Sequence, residues 1–365
     1  MSGSVAVGRT PRARREHGYS RRSGRRRKGP GRAGQAIPHR ESRQHLAPVA
    51  GGPHMSRKRG ESRKARQPRS PERLPGVLSP GSAPLIVVPL DGSLEAKAAL
   101  PAARLIARII GAAVNVVHAT DEHLAHGELL ARVKLEREEA HGLVVDQVAG
   151  PHGQAILRHA QKKRATLIAA TTRGRTAYLG RTVRPVVEQI IREAPCPVLL
   201  VRPEIYEYVT GMSELRRILL PLDGAPSSAA VIGPAVQLAA ASDAEIDMLY
   251  VATQSARPQE AGTLAAPRYV DQPQHEWPAW AEEFMSRCCI CAGGYLPTTR
   301  MHLFLRRGEP AAEILGFAAE REHELIVLEW RGQMDPAHAN VVRGVLTNAP
   351  CPVLLLRTSP STPTA

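Results

Sequence analysis

The 365-residue chain carries 49 Lys+Arg against 34 Asp+Glu, and 43% of its residues are hydrophobic while only 4% are aromatic. That length accommodates two ordinary domains and an extension, and an aliphatic core of this kind suits a sheet covered by helices. No run nears the ~18 apolar residues of a bilayer span, no apolar segment of the secretory type is present, and five cysteines do not read as a disulfide framework; a reducing cytoplasm is the expected compartment.

The charge is unevenly placed. Residues 1–83 hold 21 Lys+Arg and 4 Asp+Glu, a balance of +17, whereas the other 282 residues balance at −2. This leader is rich in Arg, Gly, Pro and Ser, cannot bury enough apolar surface to offset chain entropy, and is expected to be disordered. Its basic run Arg21-Arg22-Ser23-Gly24-Arg25-Arg26-Arg27-Lys28 suits phosphates of nucleic acid or anionic lipid. Tyr19 is its one aromatic residue, so base stacking has no support. A solvated tail and an initiation at Met55 are the competing readings.

From residue 84 onward, apolar runs of strand length alternate with amphipathic segments of helix length. In the first stretch the expected strands are Leu85–Leu90, Ala113–His118, Leu143–Val148, Leu167–Ala170 and Val198–Val201. The expected helices are one after Ser93 (apolar face Ala98, Leu105, Ile106, Ile109), then Glu122–His141, Gly153–Lys163 and Val186–Arg192. Residues 203–215 read as a short connector. The second stretch gives strands Ile218–Leu222, Glu245–Val251, His302–Arg306, Leu325–Leu328 and Val353–Leu356. Its helices are Ser227–Ala241, Pro278–Ala292, Ala311–Glu320 and Val341–Leu346, with 253–275 a long Pro/Gln/Ala-rich loop.

The two stretches are copies. Leu85-Ile86-Val87-Val88-Pro89-Leu90-Asp91-Gly92 returns as Ile218-Leu219-Leu220-Pro221-Leu222-Asp223-Gly224. Leu167–Gly174 returns as Leu325–Gly332, and Ala194-Pro195-Cys196-Pro197-Val198 as Ala349-Pro350-Cys351-Pro352-Val353. Three matches in one order imply duplication. The expected fold is α/β: tandem parallel-sheet domains at 84–202 and 216–357, each closing its own five-stranded layer.

These features resemble the universal stress protein family: a first strand ending Pro-Leu-Asp-Gly, Gly308-Glu309-Pro310-Ala311-Ala312-Glu313-Ile314-Leu315, the strand running into Arg173-Gly174, and Ala-Pro-Cys-Pro-Val before the last strand. The resemblance implies a five-stranded nucleotide-binding-like sandwich, frequent dimerisation, a role in stress, and division into members that do and do not bind adenine nucleotides.

Asp91 and Asp223 end the first strands, where ligands enter such sheets. The resemblance sets the matching aspartate near adenine; helix capping by Asp91 or Ser93 is the alternative. It also implies a phosphate loop of pattern G-x2-G-x9-G-[S/T], whose glycines let backbone N–H groups approach the phosphates. In the first copy these positions are Thr171, Gly174, Arg184 and Pro185. Pro185 has no N–H to give, but Arg173, Arg175, Arg181 and Arg184 make the loop cationic. In the second copy Glu329 takes the first glycine position, Gly332 is retained, and Ala339-Asn340 replace the last pair. A carboxylate there repels phosphate.

Other chemistry lacks a pattern. Cys288-Cys289-x-Cys291 has no second ligand pair, Cys196 and Cys351 read as core thiols, and His118, His123, His126 and His141 read as surface histidines, with His118 alternatively lining the first cleft. There is no Walker loop or nucleophile elbow. The expectation is a non-catalytic stress-response protein acting through protein interaction or by sensing ATP or another adenine nucleotide. The alternatives are a slow ATP hydrolase or adenylyl-transfer enzyme, and a nucleic-acid-associated protein acting through its leader. The last strands are the expected contact between the domains, mimicking a homodimer within one chain.

Overall fold

The computed structural model describes residues 83–172, 185–253, 263–264, 277–291, 299–330 and 336–357. The strands are β1 Leu85–Pro89, β2 Ala113–Ala119, β3 Leu143–Val148, β4 Leu167–Thr171, β5 Val198–Val201, β6 Arg217–Leu222, β7 Glu245–Ala252, β8 Met301–Arg307, β9 Leu325–Trp330 and β10 Val353–Arg357. The first half contributes helices α1 Ala99–Ile110, α2 His126–Arg132, α3 Arg137–Ala140, α4 His152–Lys162 and α5 Pro185–Glu193. Helix α6, Tyr206–Gly211, follows β5; the second half adds α7 Pro226–Ala229, α8 Ile232–Ser242, α9 Trp277–Cys291, α10 Pro310–Glu320 and α11 Pro336–Asn348.

All ten strands form one sheet in the order β3-β2-β1-β4-β5-β10-β9-β6-β7-β8. Every neighbouring pair is parallel except β5 and β10, which run antiparallel with Val353 opposite Leu200 and Leu355 opposite Val198. The expectation of two separately closed layers is therefore corrected at the seam. Each half keeps five strands in the same order, but the last strands spend their free backbone groups on one another. Sheet and helices bury both faces. Ile86, Val88, Ile218 and Leu220 point into one apolar layer beneath α1, α2, α8 and α9. Val87, Leu219, Leu200 and Leu355 point into the other, beneath α4, α5, α10 and α11. Alternation between two dry faces is why these strands read as unbroken apolar runs.

Three helical expectations are corrected. The segment 122–141 is not one helix but α2 and α3, separated at Lys134, whose φ is +56°. Leu130 and Val133 share a helical face, but Leu135, five residues beyond Leu130, would leave it. The left-handed residue turns the chain so that Leu135 is buried as well. The helix expected at 227–241 is likewise split between α7 and α8. Pro234 lacks an N–H and fits only a first turn, so α8 restarts at Ile232; Pro101 is in the same way the third residue of α1. Finally, the connector after β5 holds α6, whose Val209 is buried. Among the described residues no helix is long and apolar enough to cross a membrane.

Candidate functional site

The sheet reverses its strand order between β1 and β4, and again between β6 and β9, and these crevices are where an open α/β sheet takes ligands. Ile86 pairs with Leu167 and Val87 with Ile168. Extending that register sets Thr171 level with Leu90, one residue from Asp91. The second half repeats it: Leu219 pairs with Ile326, which sets Glu329 level with Leu222, one residue from Asp223. Asp91 and Thr171 thus come together at the first crevice, and Asp223 and Glu329 at the second. Arg173, Gly174 and Arg184, and Gly332 in the second half, lie outside the described residues.

Each aspartate has a local duty. Asp91 Oδ1 accepts from the Ser93 amide at 3.0 Å and the Ser93 hydroxyl at 2.5 Å. Ser93 Oγ in turn accepts from the Ala96 amide at 3.2 Å, capping the turn that leads into α1. Of the two capping candidates Ser93 makes the cap, and Asp91 holds Ser93. Asp223 Oδ1 accepts from the Ala225 amide at 3.0 Å. The glycines that follow have φ of +82° at Gly92 and +77° at Gly224, a conformation in which a side chain is strained. A Cβ on Gly92 would lie 2.3 Å from the Arg132 carbonyl oxygen, and one on Gly224 would lie 2.8 Å from that of Leu264. In both halves a carbonyl of the segment after the second strand rests on this glycine. The Asp-Gly pair has a structural reason to persist in both copies.

Beyond that turn the crevices differ. At the first, β4 ends in Thr171 and Thr172, both buried and both small. His118, at the end of β2, is buried rather than on the surface, because its Nδ1–H donates to the Leu90 carbonyl at 2.7 Å and braces the turn from below. His123, His126 and His141 are exposed, as expected. At the second, the Leu264 amide donates to Gly224 O at 3.0 Å and its carbonyl accepts from the Tyr250 hydroxyl at 3.4 Å. Tyr250 packs edge-on against Trp280 and Phe284. Burial, and then the Asp223 charge, push its phenol up to about 12, so it stays a donor. Glu329 and Trp330 are buried where the first half has threonines.

Sequence reasoning missed two buried polar clusters on β2 and β7. In the first half Asn115 accepts from His159 Nε2 at 2.7 Å and donates to Asp146 at 3.3 Å. In the second, Asp247 is fully buried and accepts from Arg321 Nε at 2.7 Å, His323 Nε2 at 3.1 Å and His302 Nδ1 at 3.1 Å. Burial raises the Asp247 carboxyl, but hydrogen bonds from His323 and Arg321 outweigh it and leave the group below its ordinary value. A lone Asn or Asp inside an otherwise apolar strand was the available signal. Among the described residues no group of three His, Cys, Asp or Glu is arranged to hold a metal ion. Cys351 is buried and Cys196 half-buried; both are free, and burial pushes the Cys196 thiol up to about 12. Cys288, Cys289 and Cys291 lie on α9, with their side chains outside the description. A small apolar cavity of about 50 Å³, lined by Ile106, Leu199, Leu238 and Leu354 among others, lies at the seam and not at a crevice.

The universal stress protein family matches residues 85–202 and again 214–357. The Thermus aquaticus universal stress protein in the QAH/OAS sulfhydrylase 3′ region is 32% identical over 133 residues, which is 32% of this chain and 97% of that protein. A universal stress protein from Archaeoglobus fulgidus DSM 4304 superposes with a TM-score of 0.51 at 16% identity, covering 76% of this chain and 97% of its own. The functionally unknown PA1789 from Pseudomonas aeruginosa PAO1 gives 0.51 at 18%, covering 76% and 93%. A coverage of 76% requires both halves at once, so the shared fold spans the seam. Matched twice along its length, this chain belongs to the universal stress protein family.

Proposed function

We propose that this protein is a non-catalytic, cytoplasmic stress-response protein that senses an adenine nucleotide in its first half, at 84–202, while the second half, at 216–357, has given up that role. The observation that carries this reading is the contrast between the two crevices. Beside Asp91 the strand β4 ends in two small, uncharged residues, Thr171 and Thr172, whereas beside Asp223 the strand β9 ends in a buried carboxylate, Glu329, and a buried indole, Trp330. A buried carboxylate beside a triphosphate costs far more than it does in water, so the second crevice is unsuited to the ligand.

In the first half Asp91 would face the base, and Thr171, Arg173, Gly174 and Arg184 the phosphates. Because Pro185 withholds a backbone donor, guanidinium groups carry the recognition, bidentate and always charged. Binding should then weaken with salt. Asp91 Oδ1 is committed to Ser93, which favours a sensing role over base catalysis. Calorimetric titration of ATP into the full chain should give one site, lost or weakened in Asp91→Ala and Arg184→Ala and unchanged in Asp223→Ala. Two equivalent sites, an equal loss in Asp223→Ala, or no binding at millimolar ATP would overturn it. Steady phosphate release from bound ATP would restore the hydrolase reading.

A further inference from the structure

A second polar site lies at the margin of the sheet, on β8, two strands from the nearer crevice. There the two oxygens of the buried Asp247 hold different groups. Oδ1 accepts from His302 Nδ1 at 3.1 Å, while Oδ2 accepts from Arg321 Nε at 2.7 Å and from the buried His323. The side chains of His302 and Arg321 are 35% and 33% exposed. Each turns one nitrogen inward to the carboxylate and keeps the others outward. Among the described residues His302 Nε2 and the Arg321 Nη groups have no hydrogen-bond partner, and none of them is buried. The guanidinium is held by more than its bond to Asp247. Its carbon lies 4.7 Å from the Phe304 ring centre and 5.7 Å from that of Phe317, a cation–π setting that fixes its place. Phe304 follows His302 by two residues and so shares its face of β8. The first half carries a different pair at this position: Asn115 pairs with Val144 where Asp247 pairs with His302.

An imidazole that donates Nδ1–H to a carboxylate presents Nε2 as a lone pair. The fixed carboxylate also offsets the charge that the ring acquires when that lone pair forms a bond. A guanidinium whose outer edge is unoccupied offers N–H groups that match the oxygens of a phosphoryl group. We propose that His302 is a phosphoryl-accepting residue, with Arg321 holding the incoming group. The hydrogen-bonded and ring partners of His302 are Asp247 and Phe304, and neither supplies a proton to a leaving group. The donor is therefore one whose leaving group departs unprotonated: an acyl phosphate, which leaves as a carboxylate. In the step, Nε2 gives its electron pair to phosphorus and the N–P bond forms. The P–O bond to the acyl group breaks, and its electron pair departs on the carboxylate. The ring proton stays on Nδ1, facing Asp247, and no oxidant or reductant takes part. The inference is independent of nucleotide binding at the first crevice.

The test incubates the full-length chain with radiolabelled acetyl phosphate at neutral pH and maps the label after tryptic cleavage, which releases 301–306 as one peptide. The label there should be lost in acid and stable in alkali, as an N–P bond is. It should appear at His302 at least about tenfold faster than at the exposed His126 and His141, the advantage of an oriented acceptor. His302→Gln should abolish it with the circular dichroism unchanged. Arg321→Gln, folded by the same criterion, should slow it roughly a hundredfold, the effect of one lost donor to a transferring phosphoryl group. No label on 301–306, equal rates at His302 and His126, or an unchanged rate in Arg321→Gln would each overturn the proposal. If either variant does not fold, the ratio of rates at His302 and His126 in the unaltered chain decides alone.

Discussion

Replacing Gly92 by alanine separates a structural role for the Asp-Gly pair from a ligand-binding one. The residue has φ of +82°, and its new Cβ would lie 2.3 Å from the Arg132 carbonyl oxygen and 3.5 Å from the carbon behind it. Left-handed backbone costs an alanine about 1–2 kcal/mol. The contact adds to this, because the atom met is backbone at the end of α2 and cannot rotate aside; such overpacking costs about 1–3 kcal/mol. Gly92→Ala should therefore lose about 3 kcal/mol. Gly111 supplies the control. It ends α1 with φ of +67°, and nothing lies within 4 Å of its would-be Cβ. Gly111→Ala should lose only the conformational part, about 1 kcal/mol. In a structure of this size the difference of ~2 kcal/mol corresponds to roughly 4–8 °C in melting temperature. Urea unfolding followed by circular dichroism measures both variants on the same footing. Equal losses would mean that α2 does not rest on the turn, and the structural explanation for the retained Asp-Gly pair would fall.

Three further outcomes are expected. Asp247→Asn should destabilise the chain by about 2 kcal/mol, because it takes a fully buried carboxylate away from its charged hydrogen-bond donor, the half-buried Arg321 guanidinium; a loss under about 0.5 kcal/mol in denaturant unfolding would mean the cluster is solvated. The stability that Asp247 contributes is present above the ordinary carboxyl range and is lost as pH falls through its lowered folded value, so the deficit should vanish in strong acid. His159 is held below 6.5, chiefly by burial and only partly opposed by Asp146; its folded form binds fewer protons than its unfolded form, so stability is full above about 6.5 and declines below it, a slope that His159→Gln should flatten in unfolding curves taken from pH 7 to pH 5. Arg202→Met removes the cap on Ala349 and should lower stability by about 1 kcal/mol, read as a shift of the urea midpoint; no shift would show the seam arginines to be solvated.

Much of the sheet was legible because its strands are apolar on both faces: Ile86, Val87 and Val88 bury alternately into two layers and still spell an unbroken apolar run. The seam was legible for a different reason. A duplicated chain has two equivalent last strands, and an open edge seeks a partner. Joining those edges makes one sheet of two, which a reading of each copy alone does not reveal. The break at Lys134 was hidden because it depends on where Leu135 finds cover, a tertiary matter. The break before α8 is written in Pro234, which fits only a first turn. At the crevices, the sequence singled out Asp91 and Asp223 as strand ends and Thr171 and Glu329 by motif position, but it did not show what each side chain touches. Leu264 over Gly224 joins residues 40 apart, and Trp330 to Ile191 joins residues 139 apart. No local pattern encodes such pairs. Glu329 stands out by its charge, while its neighbour Trp330 makes one of the bonds that cross the seam.

The buried polar clusters argue that the halves have diverged in more than their crevices. Asn115 pairs with Val87 and Asp247 with Leu219, equivalent places in the repeat, so one position holds an amide in the first half and a carboxylate in the second. A neutral Asn115 imposes no charge on its surroundings, and the first half can keep His159 uncharged beside it with Asp146 displaced to the sheet margin. A buried Asp247 must be matched, and Arg321 with two histidines does so. The consequence is an order of acid sensitivity. Protonating His159 introduces a charge into a buried site in mild acid, below its ordinary 6.5, whereas Asp247 holds its proton off to more acidic conditions than an ordinary carboxyl does. As pH falls from 7 to 5, hydrogen exchange should accelerate first in β2, β3 and α4 while β7 and α10 stay protected. The reverse order would show that burial of His159 does not govern the first half. In the expected order, the first half loosens in mild acid while the second stays closed.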